Sequence, residues 1–325
     1  MSDDDSTDQI EVTVDHVHTD GAVTRVTRMT TSTGRDTRAF VLVAGIGVAA
    51  TYFEFLAPLL ARKGAVYALD LPGFAGVRRP HVAPTAAFFA DQVEAVLDHF
   101  ALNDPVLIGH SMGTQVVTEV LLRRPALRHG VLVSPVVNEA ESAPLVQGVR
   151  FAQSASRESF HLAMTALSAY ILCGVVYFLT VLPHMLRYRI TDRIRHVQTK
   201  TLLIRGEYDR SSPRRFHTRL AEALPDPWRW EMKGAAHSII NGHAVGVAKL
   251  VLRHLDDDLP RRGQMSSEEA EVPPARHADL RMFLGALASR AAEWVSALRG
   301  DERGVARAKA EHARLLWRAY SPRER

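Results

Sequence analysis

Cysteine is almost absent from this chain. Among 325 residues Cys173 is the one example, so no internal disulfide forms and no second thiol exists for a cysteine-based metal site. An excess of one charge is missing as well. Thirteen basic and nine acidic residues lie from Pro260 onward, which leaves 27 of each before it. A nucleic-acid-binding core needs clustered Lys and Arg, and the neutral main body argues against one. The N-terminus, Met1-Ser2-Asp3-Asp4-Asp5, has neither the basic region nor the apolar run of a secretory signal. A cytoplasmic protein is expected, with residues 1–9 as a disordered acidic leader. The fifteen histidines form no close-spaced set of three or four ligands. Pairs such as His16 with His18, or His254 beside Asp256, read as solvated surface, and no metal is expected.

One long uncharged run stands out: Leu162 to Leu182, 21 residues between Arg157 and the pair Arg187 and Arg189. Its length would cross a bilayer. It also holds Thr165, Ser168, Tyr170, Gly174, Tyr177 and Thr180, and α/β-type segments both precede and follow it. A single span would place two halves of one domain on opposite sides of a membrane, so the run reads as a buried or lid helix.

The remaining pattern is rhythmic. Ile10 to His18 and Ala22 to Thr30 alternate apolar and polar residues around Thr19-Asp20-Gly21, a β-hairpin. Apolar strands Ala39–Ala44, Ala65–Leu69, Pro105–Ile108 and Gly130–Val133 then alternate with helical patterns over Tyr52–Arg62, Thr85–Phe100 and Thr114–Arg124. Continuous apolar strands alternating with helices imply a mostly parallel sheet covered on both faces. The rhythm stops at residues 135–198, a helical insertion, and resumes with strand Thr201–Arg205, helix Pro213–Leu224, strand Trp228–Met232 and helix Ile239–Leu255. The expected division is a core of 10–134 and 199–258, a cap of 135–198, a polar linker of 259–275, and a helical extension of 276–325. In the extension Leu280, Phe283, Leu284, Leu287, Ala291, Trp294, Val295 and Leu298 mark one amphipathic helix. Val305, Ala308, Leu315, Leu316 and Ala319 mark a second.

The chemistry is concentrated in Gly109-His110-Ser111-Met112-Gly113, where a strand turns into a helix. A serine at the apex of so tight a turn is strained and exposes its Oγ, and the flanking glycines avoid backbone collisions. The Met112 amide, at a helix start, then points at whatever Ser111 attacks. A serine hydroxyl needs a base to take its proton, and that base needs an orienting group. His237, in the loop after Trp228–Met232, is the candidate base, with His243 as its weaker competitor. Asp209, in the loop after Thr201–Arg205, is the candidate orienter, with Glu207 behind it. All three residues fall at the C-terminal edge of parallel strands, where ligands bind in open sheets.

On these residues the chain resembles the α/β-hydrolase fold family over roughly residues 10–255. Asp70-Leu71-Pro72-Gly73-Phe74 resembles the family's Asp-x-Pro-Gly-x turn, and the insertion after Pro135 sits where members carry a cap. The resemblance also places the second oxyanion donor in Ala44-Gly45-Ile46-Gly47, nominating the Ile46 amide. Two departures are visible. Many members carry His where this chain has Ala44, and the Pro-Gly-Phe turn continues as Ala75-Gly76-Val77-Arg78 instead of Gly-x-Ser. Members that use Asp at the elbow process halides and epoxides, so Ser111 implies acyl transfer.

The expected activity is hydrolysis of a moderately hydrophobic ester or thioester by a Ser111–His237–Asp209 triad without a cofactor. The alternatives are C–C bond hydrolysis by the same residues and a membrane-associated binding or partner protein on a hydrolase scaffold. The spacing Gly45-x-Gly47-x-x-Ala50, with Asp70 25 residues after Gly45, also mimics a dinucleotide fingerprint; that reading would leave the serine elbow and the His loop as coincidences. The insertion is unusually apolar, from Phe160, Leu162, Met164 and Leu167 through Tyr170, Ile171, Val175, Val176, Phe178, Leu179, Val181, Leu182 and Met185. It reads as part self-packing and part roof over an acyl pocket. The expected partner is a small hydrophobic acyl substrate and not nucleic acid. Self-association through the C-terminal helices and peripheral membrane contact through the cap are further expectations.

Overall fold

The structure is a computed structural model and describes residues 10–31, 38–141, 143–155, 169–271 and 280–320. The calls on residues 1–9, on Phe160, Leu162, Met164 and Leu167, and on Pro273-Pro274 lie outside those residues.

Strands β1 (Ile10–Thr19) and β2 (Ala22–Thr31) form the hairpin that the alternation implied, pairing from Ile10 with Thr31 to Thr19 with Ala22. Strands β3 (Ala39–Val43), β4 (Ala65–Asp70), β5 (Val106–His110), β6 (His129–Val133), β7 (Lys200–Gly206) and β8 (Pro227–Met232) follow. A ninth strand, β9 (Arg262–Met265), completes one sheet of order β1-β2-β4-β3-β5-β6-β7-β8-β9. β1, β2 and β4 pair antiparallel, and every other neighbour is parallel.

The parallel strands are apolar throughout because both faces are covered. On β3, Phe40 and Leu42 point into one layer with Leu56, Ala57 and Leu60 of helix α1 (Leu56–Ala61). Val41 and Val43 point into the other, with Phe89, Val93 and Val96 of α2 (Ala86–His99) and Val116 and Val120 of α3 (Met112–Arg123). Thr85 caps α2, its Oγ1 accepting from the Phe88 amide at 3.1 Å, which satisfies one of the orphan donors at a helix start. The insertion holds α4 (Pro144–Ala155), α5 (Val175–Arg187) and α6 (Ile190–Ile194). Gly174, at φ 76°, interrupts the uncharged run just before α5, and no described helix is long and apolar enough to cross a membrane. After β7 come α7 (Arg214–Ala223), then α8 (Ile239–Gly242) and α9 (Ala244–Leu255), which His243 separates where one continuous helix was expected.

Two expectations for the C-terminal fifth are corrected. Residues 259–275 are not merely a linker. They supply edge strand β9 in register with β8, and the Trp228 and Trp230 indoles donate to the Leu259 and Pro260 carbonyls at 3.0 and 2.9 Å. Helix α10 (Ser267–Ala270) follows, capped by the Ser266 hydroxyl. The extension, α11 (Leu280–Arg299) and α12 (Glu302–Tyr320), is not a separate unit either: Ala310, Ala313 and Trp317 join the layer around α1. Its orientation also differs from the reading of the apolar stripe. Leu284, Leu287, Val295 and Leu298 face outward, while Ser289, Arg290, Glu293, Lys309 and His312 are buried. On α11 the side facing the core carries paired charges, while on α12 Val305, Ala308, Ala310, Ala313 and Trp317 are buried beside Lys309 and His312.

Candidate active site

The chain reverses its crossover direction between β3 and β5. β4 lies on one side of β3 and β5 on the other, a switch point whose C-terminal edge is where open sheets bind ligands. Ser111 sits there, at the end of β5, with φ 54° and ψ −122°, a conformation that non-glycine residues adopt only under constraint. The constraint is visible. Its amide donates to the Val133 carbonyl at 3.0 Å, and its carbonyl accepts from the Thr114 amide at 3.0 Å and the Thr114 hydroxyl at 2.6 Å. Close approach explains the two elbow glycines. A Cβ on Gly113 would lie 2.1 Å from the Val43 carbonyl oxygen, and one on Gly109 2.4 Å from the Gly113 oxygen.

Helix α3 begins at Met112, two residues earlier than the sequence pattern suggested, so the Met112 amide is one of the orphan donors of its first turn. Gly45 lies against the serine, its added Cβ position 3.1 Å from Ser111 Cβ and 3.4 Å from Oγ. The next amide is that of Ile46; like the Met112 amide, it donates to no acceptor among the described residues. These two backbone N–H groups, one following a glycine that touches the serine and one following the serine itself, are the candidate oxyanion donors.

His237 and Asp209 come from neighbouring loops. The His237 Nδ1–H donates to Asp209 Oδ2 at 3.0 Å, and both side chains are buried. Asp209 Oδ1 accepts from the Ser211 and Ser212 amides at 2.9 and 3.0 Å. Burial alone would raise the Asp209 pKa; the imidazole beside it and the Ser212 amide more than offset this and hold it at about 2. The carboxylate therefore stays ionised and fixes the His237 tautomer, leaving Nε2 free of the proton. The His237 carbonyl is pinned by the Ser134 hydroxyl at 3.0 Å and by His110 Nε2 at 3.0 Å. The competitors go elsewhere. Glu207 Oε2 accepts from the Gly234 amide at 2.9 Å, and His243 stands at the junction of α8 and α9.

The structure also assembles residues that the sequence reading passed over. The Tyr52 hydroxyl bonds Ser238, next to His237, and its ring lies 5.5 Å from that of His110. Glu54 Oε1 accepts from Asn241 Nδ2 at 3.2 Å, while its Oε2 meets Arg290 Nη2 at 2.6 Å and His312 Nε2 at 2.9 Å. Asp70 Oδ1 accepts the Ala50 amide at 2.6 Å, and its Oδ2 pairs with Arg25 and Lys309, each at 3.1 Å. Lys309 reaches Glu293 at 3.1 Å, and Arg25 reaches Glu302 at 2.9 Å. The extension is thereby tied to the Gly45–Ala50 loop and to the helix that follows His237. Signals existed in the unpaired charges of α11 and α12, but no spacing rule links them to Glu54 or Asp70.

The sequence profile of the alpha/beta hydrolase family matches residues 40–250. The chain belongs to the alpha/beta hydrolase family. An uncharacterized hydrolase of Bacillus subtilis, YugF, is 36% identical over 95 residues, spanning 29% of this chain and about a third (34%) of that relative. Among solved structures, Est816, described as an N-acyl homoserine lactone degrading enzyme, superposes with a TM-score of 0.63 at 18% identity, over 73% of this chain and 99% of that one. The 2-hydroxy-6-oxo-6-phenylhexa-2,4-dienoate hydrolase of a Rhodococcus species gives 0.62 at 15% identity, over 77% and 100%. At these identities the likeness is one of fold. Of this alpha/beta hydrolase, the stretches before residue 40 and after 250 lie outside the family match, and both the β1–β2 hairpin and the α11–α12 pair fall there.

Proposed function

We propose that this alpha/beta hydrolase cleaves a moderately hydrophobic ester or thioester through an acyl-enzyme on Ser111. The observation that carries the reading is the buried Asp209–His237 pair, 3.0 Å apart, at the same sheet edge as a serine at φ 54°, with the Ile46 and Met112 amides lacking acceptors among the described residues. In this mechanism His237 Nε2 takes the Ser111 proton as Oγ attacks the carbonyl carbon. The Ile46 and Met112 amides receive the oxyanion, and collapse of the tetrahedral adduct expels the leaving group, which takes the proton from His237. Water, deprotonated by His237, then attacks the acyl-enzyme, and the acid leaves as Ser111 regains its proton. Asp209 stabilises the imidazolium formed in each half-reaction without itself taking a proton.

The apolar preference comes from the cap. Tyr170 and Phe178 rest on Gly47, within 3.0 and 3.3 Å of where its Cβ would be, so aromatic surface roofs the candidate oxyanion loop. Such a wall supplies burial for an acyl chain and few hydrogen bonds.

The test is labelling with a fluorophosphonate probe, followed by turnover of p-nitrophenyl esters of increasing chain length. Wild type labels, and Ser111→Ala and His237→Ala do not. A folded wild type that neither labels nor hydrolyses any ester refutes the reading, and turnover confined to a C–C bond beside a carbonyl would reassign the reaction on the same residues.

A further inference from the structure

Helix α5 is apolar on opposite sides, and the described residues cover only one of them. Tyr177, Val181 and Leu186 are buried, and Phe178 packs on Tyr170 over Gly47. On the other side Val175, Val176 and Leu179, with Ile171 just ahead of the helix, are 57–73% exposed. Isolated exposed aliphatics are ordinary; four large ones within nine residues make a patch that soluble surfaces rarely leave bare.

The surroundings of this patch are cationic. Arg79 Nη2 donates to the Cys173 carbonyl at 3.0 Å, which sets its guanidinium at the Gly174 break between Ile171 and Val175. A groove of about 400 Å3 runs beside it, with Arg79, His81, Val82, Val176, Thr180 and His184 on its walls. Neither Leu71 to Ala90 nor Ala169 to Thr191 contains a single Asp or Glu, whereas Arg78, Arg79 and Arg187 lie in these stretches and are exposed.

We propose that this face of the cap docks on an anionic lipid bilayer. Ile171, Val175, Val176 and Leu179 enter the boundary between headgroups and acyl chains, and the arginines meet lipid phosphates. Charge selects this occupant over a second copy of the chain, because two such faces brought together would set arginine against arginine. The docking does not depend on the serine-hydrolase reading. One consequence does: since the inner side of the same helix roofs the Gly45–Gly47 loop, an acyl chain drawn from the bilayer would enter the site beneath α5.

The full chain is sedimented with vesicles of phosphatidylcholine alone or with added phosphatidylglycerol, at low and high salt. Wild type co-sediments with the anionic vesicles and is released by salt. Arg79→Gln weakens this partitioning by roughly fivefold, and the double variant Val176→Asp, Leu179→Asp by roughly tenfold or more. The double variant still hydrolyses a soluble short-chain p-nitrophenyl ester at the wild-type rate, which separates loss of docking from loss of fold or chemistry. Absence of wild-type co-sedimentation, or equal co-sedimentation by the double variant, overturns the proposal. So does gel filtration showing a wild-type dimer that the double variant splits, since a second copy would then cover the face.

Discussion

Arg290→Met tests whether the C-terminal helices are part of the folded core. The substitution keeps the aliphatic stem and removes the charge. Arg290 donates to Glu54 at 2.6 Å and to Glu293 at 3.2 Å, and all three side chains are at most 11% exposed. Removing one partner from a buried pair leaves the other charge uncompensated, at a cost of about 3–5 kcal/mol. Glu54 keeps His312 and Asn241, and Glu293 keeps Lys309, which puts the expected loss near the lower end, about 3 kcal/mol. At about 2 °C per kcal/mol for a chain of this size, the melting temperature falls by roughly 6 °C. Urea unfolding followed by circular dichroism at neutral pH measures it, with Arg299→Met, at the exposed end of α11, as a control expected within about 0.5 kcal/mol of wild type. A double-mutant cycle with Glu54→Gln should show a coupling of about 1 kcal/mol or more. A loss below about 1 kcal/mol, or strict additivity with Glu54→Gln, would refute the argument that this network docks the extension.

Two further predictions concern the site and its surroundings. Asp209→Asn should leave the fold intact and lower kcat by about four orders of magnitude, because the amide no longer selects the His237 tautomer; steady-state kinetics with KM little changed is the signature, and a loss under about tenfold excludes Asp209 as the orienting group. His110 and His217 are buried and their pKa values are pushed down to about 3, by burial first and then by His237 or Arg205 respectively. In the unfolded chain they titrate near 6.5, so unfolding takes up protons below that pH. Their contribution is full above pH 6.5 and declines as the pH falls toward 3, by about 2 kcal/mol for each at pH 5. Asp209, held at about 2, adds stability that is present above its ordinary value and lost only as the pH falls through 2. A urea midpoint unchanged between pH 7 and pH 5 would contradict this, and His217→Gln should flatten the slope.

The parallel strands were legible because a strand covered on both faces must be apolar throughout, as Phe40 to Val43 are. The candidate nucleophile stood out for a related reason: a strand-to-helix turn that tolerates only glycine around a serine leaves a short, unambiguous string. The Asp209 and His237 loops followed from counting strands, and the two side chains lie 3.0 Å apart. Helix starts were less exact. α3 was read from Thr114 because Met112 and Gly113 look like turn, while the strained Ser111 lets the helix begin at once. β9 escaped because Arg262-Gly263-Gln264-Met265 lies at the sheet edge, where pairing on one side needs no apolar run.

The extension shows why amphipathic spacing can mislead about which face is buried. The stripe through Leu284, Leu287 and Leu298 has the right period for a core face, yet the opposite side, carrying Arg290, Glu293 and, on α12, Lys309, faces the sheet. Hydrophobic periodicity assumes that burial goes to carbon. Here the core already holds two carboxylates at the sheet's active edge, Glu54 and Asp70, whose burial is tolerable only beside cations. Arg25 supplies one from within the hairpin; Arg290 and Lys309 supply the others from more than 200 residues away. Asp70 belongs to a turn that resembles a family signature, and in this chain the same carboxylate both anchors the Ala50 amide behind the candidate oxyanion loop and receives Lys309 from the extension. The helices outside the family match are therefore coupled to the candidate site through a residue inside it.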